Sequence, residues 1–149
     1  MARTTAVPRT LKMLRDEDYI ADVVEQYNAF SGQRKDLYGC FDILAIDDVV
    51  TLGVQVCGAD FSSHIRKLTE ERKDALKAWL GNPLRMALLV GWRKVLKKRG
   101  GKQMVYRPRV THFTADDFGV IGMQEFKNGE SIKEILYRDT ERGAQTWQR

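Results

Sequence analysis

Acidic residues are missing from one long stretch of this 149-residue chain: between Asp74 and Asp116 there is not one Asp or Glu. The same interval holds Lys77, Arg85, Arg93, Lys94, Lys97, Lys98, Arg99, Lys102, Arg107 and Arg109. Acids are normally interspersed with bases when solubility is the only demand. Ten uncompensated bases therefore read as a phosphate-binding surface ahead of the plainer alternative, a solvated basic face. Residues 116–149 reverse the balance with seven acids against five bases, inside a net charge of +5.

Other scarcities exclude further classes. Two cysteines, Cys40 and Cys57, make no disulfide framework, so a reducing, cytoplasmic setting is expected. No apolar run approaches the roughly 20 residues that span a bilayer, so no membrane partner is expected. The opening residues Met-Ala-Arg-Thr-Thr-Ala-Val-Pro lack the apolar centre of a secretion signal. Repeats and low-complexity linkers are missing too. Cys40, Cys57, His64 and His112 are potential zinc ligands without the close paired spacing of a structural site. They read better as two buried thiols and two unrelated histidines. A Cys57–His64 nucleophile pair lacks a recognisable orienting third group. Gly100-Gly101 follows a basic strand and marks a hairpin tip, not a phosphate cradle before a helix.

What is present suits one compact domain. With 43% hydrophobic and 30% charged residues, the composition is that of an ordinary soluble globular protein. The patterning predicts a helix over 8–17 with Pro8 in its first turn, and a strand over 19–27 from its β-branched and aromatic content. NAFSGQRKD follows as a loop pivoting on Gly32. Hairpin strands come near 37–46 and 51–57, joined by Asp47-Asp48-Val49-Val50. A helix begins near Ser62 or Ser63, with Asp60 a loop or capping residue. Ile65, Leu68, Ala75, Leu76 and Trp79 form its buried stripe, and Gly81-Asn82-Pro83 stops it. MALLV runs on into GWRKVL as one strand, and 103–113 returns beside it. From residue 116 onward a peripheral acidic segment is expected, outside a main domain of 1–115.

The hairpin carries the chemistry. If Ile46 faces Thr51 across the connecting loop, Asp42 lies opposite Gln55 and Cys40 opposite Cys57. These four share one face, while Phe41, Ile43, Ala45, Leu52, Val54 and Val56 form a uniformly apolar one. Opposed Cβ atoms sit about 5 Å apart, close enough for Asp42 and Gln55 to hold one ion or, more simply, to hydrogen-bond. A mid-strand carboxylate is costly to bury without such a partner.

Element order adds to the pair. Helix, strand, Asp-bearing strand, Gln-bearing strand, helix, strand is an α-β-β-β-α-β series. Together with KDLYGCFDILAI, TLGVQVCGADFSSHIRKL and GWRKVLKKRGGK, it resembles the PD-(D/E)XK nuclease superfamily over about residues 8–113. The chain looks like small phage and prophage proteins of that superfamily, which are related in fold to archaeal Holliday-junction resolvases and VRR-type nucleases. The resemblance implies a restriction-endonuclease-like α/β domain, its central mixed sheet flanked by helices.

By the same resemblance, Asp42, Gln55 and the backbone carbonyl of Val56 would hold Mg²⁺ or Mn²⁺ in a DNA endonuclease acting on branched or structured substrates. Gln55-Val56-Cys57 occupies the (D/E)XK triplet with two departures: Gln55 brings no charge, and Cys57 cannot supply the lysine. Lys67 on the following helix is the first candidate to replace that lysine, with a solvent-facing helix lysine as its plainer and favoured reading, and Lys35, just before the first hairpin strand, is the second. Glu25 would add a carboxylate if its strand neighbours Asp42. Candidate catalytic residues are thus Asp42, Gln55 and Lys67. Candidate nucleic-acid contacts are Lys35, Arg93, Lys94, Lys97, Lys98, Arg99, Lys102 and Arg107, with Trp92 and Tyr106 as stacking or packing aromatics. DNA is the expected partner, with RNA and a homodimer as further options and a bacterial host cell as the setting. The alternative is a nuclease fold without catalysis, serving as a nucleic-acid-binding accessory factor or a phage-encoded inhibitor.

Overall fold

Residues two apart in the central strands are apolar on both faces of the sheet, so the sheet must be covered on both sides. The computed structural model describes residues 2–127 and 129–137. Helix α1 (Ala2–Asp16) leads into strands β1 (Ile20–Val23), β2 (Gln26–Asn28), β3 (Gln33–Lys35), β4 (Ile43–Ile46) and β5 (Thr51–Cys57). Helix α2 (Phe61–Arg66), a π-helical turn (Lys67–Glu71) and helix α3 (Lys73–Leu80) follow. Strands β6 (Arg85–Leu96), β7 (Met104–Ala115) and β8 (Ile121–Glu125) complete the sheet, and residues 132–137 form helix α4.

Six strands make one mixed sheet in the order β1-β4-β5-β6-β7-β8, with only β5 and β6 parallel. The parallel pair requires a crossover, which the segment from α2 to α3 provides. The expected α/β architecture with a central mixed sheet flanked by helices is therefore present. Its α-β-β-β-α-β series is interrupted only by the small β2–β3 hairpin. One core joins Leu14 of α1 to Ile43, Leu52, Val54, Val56, Leu88 and Val90, and takes in Ile132 and Leu136 of α4. The other packs Leu68 and Leu76 from the crossover onto Leu89 and Phe113. Among the described residues no helix is long and apolar enough to cross a membrane.

The β4–β5 register is the expected one, with Ile46 opposite Thr51 and Ile43 opposite Val54. The ladder ends there, so β4 is shorter than anticipated and Cys40 does not sit in a strand opposite Cys57. Phe41 also changes side. Its ring lies against Gly53, where a Cβ would fall 2.6 Å from the ring, and packs tilted against Trp79 of α3, with ring centroids 4.9 Å apart. A glycine in the middle of β5 is what makes that space.

Helix α1 extends N-terminal of Pro8 instead of starting there. Burial of Ala6 against the core holds the turn that precedes the proline, offsetting the missing backbone donor. The segment after residue 116 is less peripheral than expected. Strand β8 pairs with β7 along Thr111–Ala115. Glu17, just beyond α1, accepts hydrogen bonds from Ser131 Oγ (2.6 Å) and the N–H groups of Ile132 (3.3 Å) and Lys133 (3.1 Å). That carboxylate satisfies the free amides at the start of α4.

Candidate metal centre

Two successive hairpins bring three carboxylates together. Val24 donates to the Asp42 carbonyl at 2.9 Å, after which the chain leaves the sheet. Gln26 pairs with Lys35 across β2 and β3, so Glu25 and Asp36 face each other at the base of that hairpin. A tight turn follows in which Leu37 bridges Phe41, placing Asp36 and Asp42 on either side of its base. Cys40 N–H closes the turn on Leu37 O at 3.0 Å, with Tyr38 (φ 58°) and Gly39 (φ 70°) both left-handed. Such a turn strains a tyrosine and favours glycine. Gly39 is doubly required, because a Cβ there would come within 2.6 Å of the Arg72 side chain.

Glu25, Asp36 and Asp42 each offer an oxygen within 4.8 Å of the others. At that separation and an effective dielectric of about 20, each ionised pair repels by about 3 kcal/mol. Asp42 is fully buried. Its Oδ2 accepts from Gln55 Nε2 at 2.5 Å and from Val56 N–H at 2.8 Å. Lys67 Nζ donates to Asp36 Oδ2 at 2.8 Å and to Gln55 Oε1 at 3.1 Å, while Arg34 stands 3.9 Å from Glu25. Lys67 and Arg34 thus stand beside the three carboxylates.

The structure therefore brings Asp42, Gln55 and Lys67 into one connected network, with Glu25 beside it. Lys67 comes from the helical crossover, not from β5, and it opens the π-helical turn, where Arg72 N–H reaches the Lys67 carbonyl at 2.8 Å. Single π turns often mark functional positions. Val56 meets Asp42 through its backbone N–H, where a carbonyl had been expected to serve. Lys35 lies exposed in β3 and takes no part in the network. Asp36 is the member that sequence reasoning missed. The available signal was D-L-Y-G-C-F-D, two acids each three residues from Gly39.

At the same end of β5, where the strand finishes at Cys57, Cys57, Asp60 and His64 also gather ligand atoms within 4.8 Å, so His64 and Cys57 are not unrelated; Cys40 and His112 stand outside this cluster. Burial pushes the Cys57 thiol up to about 12, with Asp60 and Asp42 adding to the shift, and His64 Nδ1 lies 3.0 Å from the Asp60 carbonyl. A protonated, buried thiol is a poor nucleophile.

The bases divide into two groups. Arg85 donates to the carbonyls of Ala78 and Trp79 at the end of α3, and Arg109 is paired with Glu125. The pairing, by hydrogen bond first, holds Glu125 below its ordinary carboxylate value. Arg93, Lys94, Lys97, Lys98, Arg99 and Lys102 are exposed on the distal part of the β6–β7 hairpin. There Arg93 lies directly opposite Arg107, an arrangement that repels unless an anion lies between or near the pair. Of the two aromatics, Trp92 is committed to packing through a 2.8 Å bond to Thr10. Tyr106 carries Arg9 over its ring at 3.8 Å.

Strand direction sets where this arm points. Gln55 pairs with Leu89 on parallel β6, and β6 runs on past the end of β5. The basic arm thus leaves the sheet at the end that carries the acidic cluster. The β2–β3 hairpin leaves at the same end, after β1. Three strand spacings separate β1 from β6, or roughly 14 Å at about 4.8 Å each. Comparison with known proteins finds no matching family model, no matching curated protein and no matching solved structure.

Proposed function

We propose that this chain is a divalent-metal-dependent DNA endonuclease of the PD-(D/E)XK type. The observation that carries the reading is the convergence of Glu25, Asp36, Asp42, Gln55 and Lys67 at one end of the sheet. The donor set fits the cation: carboxylates and an amide oxygen are the hard ligands that Mg²⁺ and Mn²⁺ prefer. Asp36, Asp42 and Glu25 would hold it, with Gln55 as a neutral fourth donor. A cation held there would supply Lewis-acid polarisation of a phosphate and a more acidic bound water.

The chain's own groups do the rest. Lys67 is paired with Asp36 and partly open to solvent, so its ammonium can meet a phosphate and offset charge that develops on it. This is the charge that Cys57 cannot supply. The arm from Arg93 to Arg107 would orient the flanking backbone by phosphate contacts and gain affinity from counterion release.

A second reading rests on Gln55. Its amide satisfies Asp42 and Lys67 without any cation, as befits a nuclease fold that binds nucleic acid and does not cut it. Incubating the protein with supercoiled, linear and four-way-junction DNA, with and without Mg²⁺ or Mn²⁺, separates the two. Metal-dependent strand cleavage supports the enzyme; binding without cleavage supports the accessory factor.

A further inference from the structure

At the tip of the β2–β3 hairpin, Phe30 stands fully exposed, at 103% of its reference area. Nothing in the fold requires an aromatic there, and exposing one forfeits the apolar burial that its ring otherwise provides. The loop that carries it is fixed locally. Asn28 Oδ1 accepts from Phe30 N–H (2.9 Å) and Ser31 N–H (3.3 Å), and Gly32 at φ 68° donates to Asn28 O at 2.9 Å. Tyr27 is exposed as well and lies directly opposite Arg34. The hairpin curls around a concavity of about 570 Å³ lined by Tyr27, Asn28, Phe30, Gln33, Arg34 and Lys35.

That set combines two ring faces, two cations and two side-chain amides. A ring face stacks on any nucleobase, the cations take its phosphates, and the amides reach base edges. The base of the same hairpin is Glu25 and Asp36 of the acidic cluster. Three strand residues from Glu25 to Asn28, at about 3.3 Å each, set the loop roughly 10 Å from the cluster. Along one DNA strand that is about three nucleotides.

We infer that the β2–β3 hairpin is a nucleotide-stacking site, with Phe30 as its platform, that selects DNA carrying an unstacked base a few nucleotides from the phosphate to be cut. This inference rests on the proposed nuclease reading for its position in the reaction, but stacking itself does not need cleavage. A paired base inside a continuous duplex hides both faces, so the preferred substrate is a fork, gap or junction.

The test is binding, in EDTA so that nothing is cut, of a forked and a blunt duplex carrying 2-aminopurine at the branch or the matching position. The wild-type protein should bind the fork more tightly and quench its 2-aminopurine. Phe30→Ala should weaken fork binding about 5- to 100-fold and leave blunt-duplex binding unchanged, while Phe30→Trp should keep the preference. Phe30 has no packing partner to lose, and circular dichroism checks that both variants fold. Equal fork affinity in wild type and Phe30→Ala would overturn the inference even if metal-dependent cleavage is seen. Loss of the wild type's fork preference on Phe30→Ala, where the wild type cuts no DNA when Mg²⁺ is supplied, would uphold the inference and remove the nuclease reading. No affinity of the wild type for either DNA at low salt would overturn it and direct Phe30 to a protein partner instead.

Discussion

At Gln55 an amide stands between a carboxylate and an ammonium, donating to Asp42 and accepting from Lys67. A glutamate in its place would face Asp42 with like charge in a fully buried setting. Gln55→Glu should therefore lower the stability of the metal-free protein by about 3 kcal/mol and raise its affinity for Mg²⁺. Thermal unfolding with and without Mg²⁺ reads both effects: a lower Tm in EDTA and a larger Mg²⁺-induced rise than in the wild type. An unchanged response to Mg²⁺ would remove Gln55 from the ligand set. The Asp42–Gln55 pair was legible because strand alternation and one loop length fix the register. Asp36 was not, because its approach to Asp42 depends on a left-handed Tyr38, which no propensity favours. Phe41 went to the wrong face because β4 begins only at Ile43, two residues after Phe41, and strand alternation says nothing before a strand's start.

Elements position these residues, and two of them make separable predictions. In the β4–β5 connection, Asp47 Oδ1 accepts from the N–H groups of Val49 and Val50 (2.8 Å each), and Lys133 lies 3.7 Å from its Oδ2. Burial works to raise the Asp47 pKa, but the Val50 and Val49 hydrogen bonds and Lys133 outweigh it and hold the carboxyl below its ordinary 3.8. A depressed folded-state pKa adds stability above the unfolded value and loses it as pH falls through the folded one. Asp47→Asn should therefore destabilise the protein at neutral pH, with the difference from wild type shrinking below about pH 4; urea unfolding at pH 7 and pH 3 checks it. In the β6–β7 arm, replacing Lys97, Lys98, Arg99 and Lys102 with Gln removes four exposed charges beside a glycine turn. DNA binding should weaken, and the slope of log affinity against log salt should become shallower by up to about 0.9 per lost phosphate contact. An unchanged slope would leave the arm a solvated loop. Both strands of this arm were legible from their apolar runs. The break in the crossover helix was not: Ile65, Leu68, Ala75 and Leu76 keep a helical spacing that continues smoothly across the π turn.

On the scale of the whole molecule, the acidic cluster, the aromatic hairpin and the basic arm all lie towards one end of the sheet. The order of elements was readable from the sequence, and with it the mixed sheet. The C-terminal region was not, because β8 and α4 are too short to show a clear period and are held by tertiary partners. Glu17 is the clearest of these, a carboxylate from the far end of α1 that caps α4. Glu17→Ala should cost about 1 kcal/mol of stability and speed hydrogen exchange over residues 131–137 ahead of the sheet; uniform exchange across both would show that Glu17 does not hold α4 in place.

The central claim is that this end of the sheet cuts DNA with a divalent cation held on Asp42. Initial rates of supercoiled-plasmid nicking by wild type and Asp42→Asn, measured across a Mg²⁺ titration, test it most directly. A metal ligand supplies several kcal/mol of transition-state stabilisation, so the variant should be slower by about 100-fold or more, with its fold and its DNA affinity in EDTA retained. Nicking by Asp42→Asn at the wild-type rate, with the same Mg²⁺ dependence, would contradict the account and place the chemistry elsewhere.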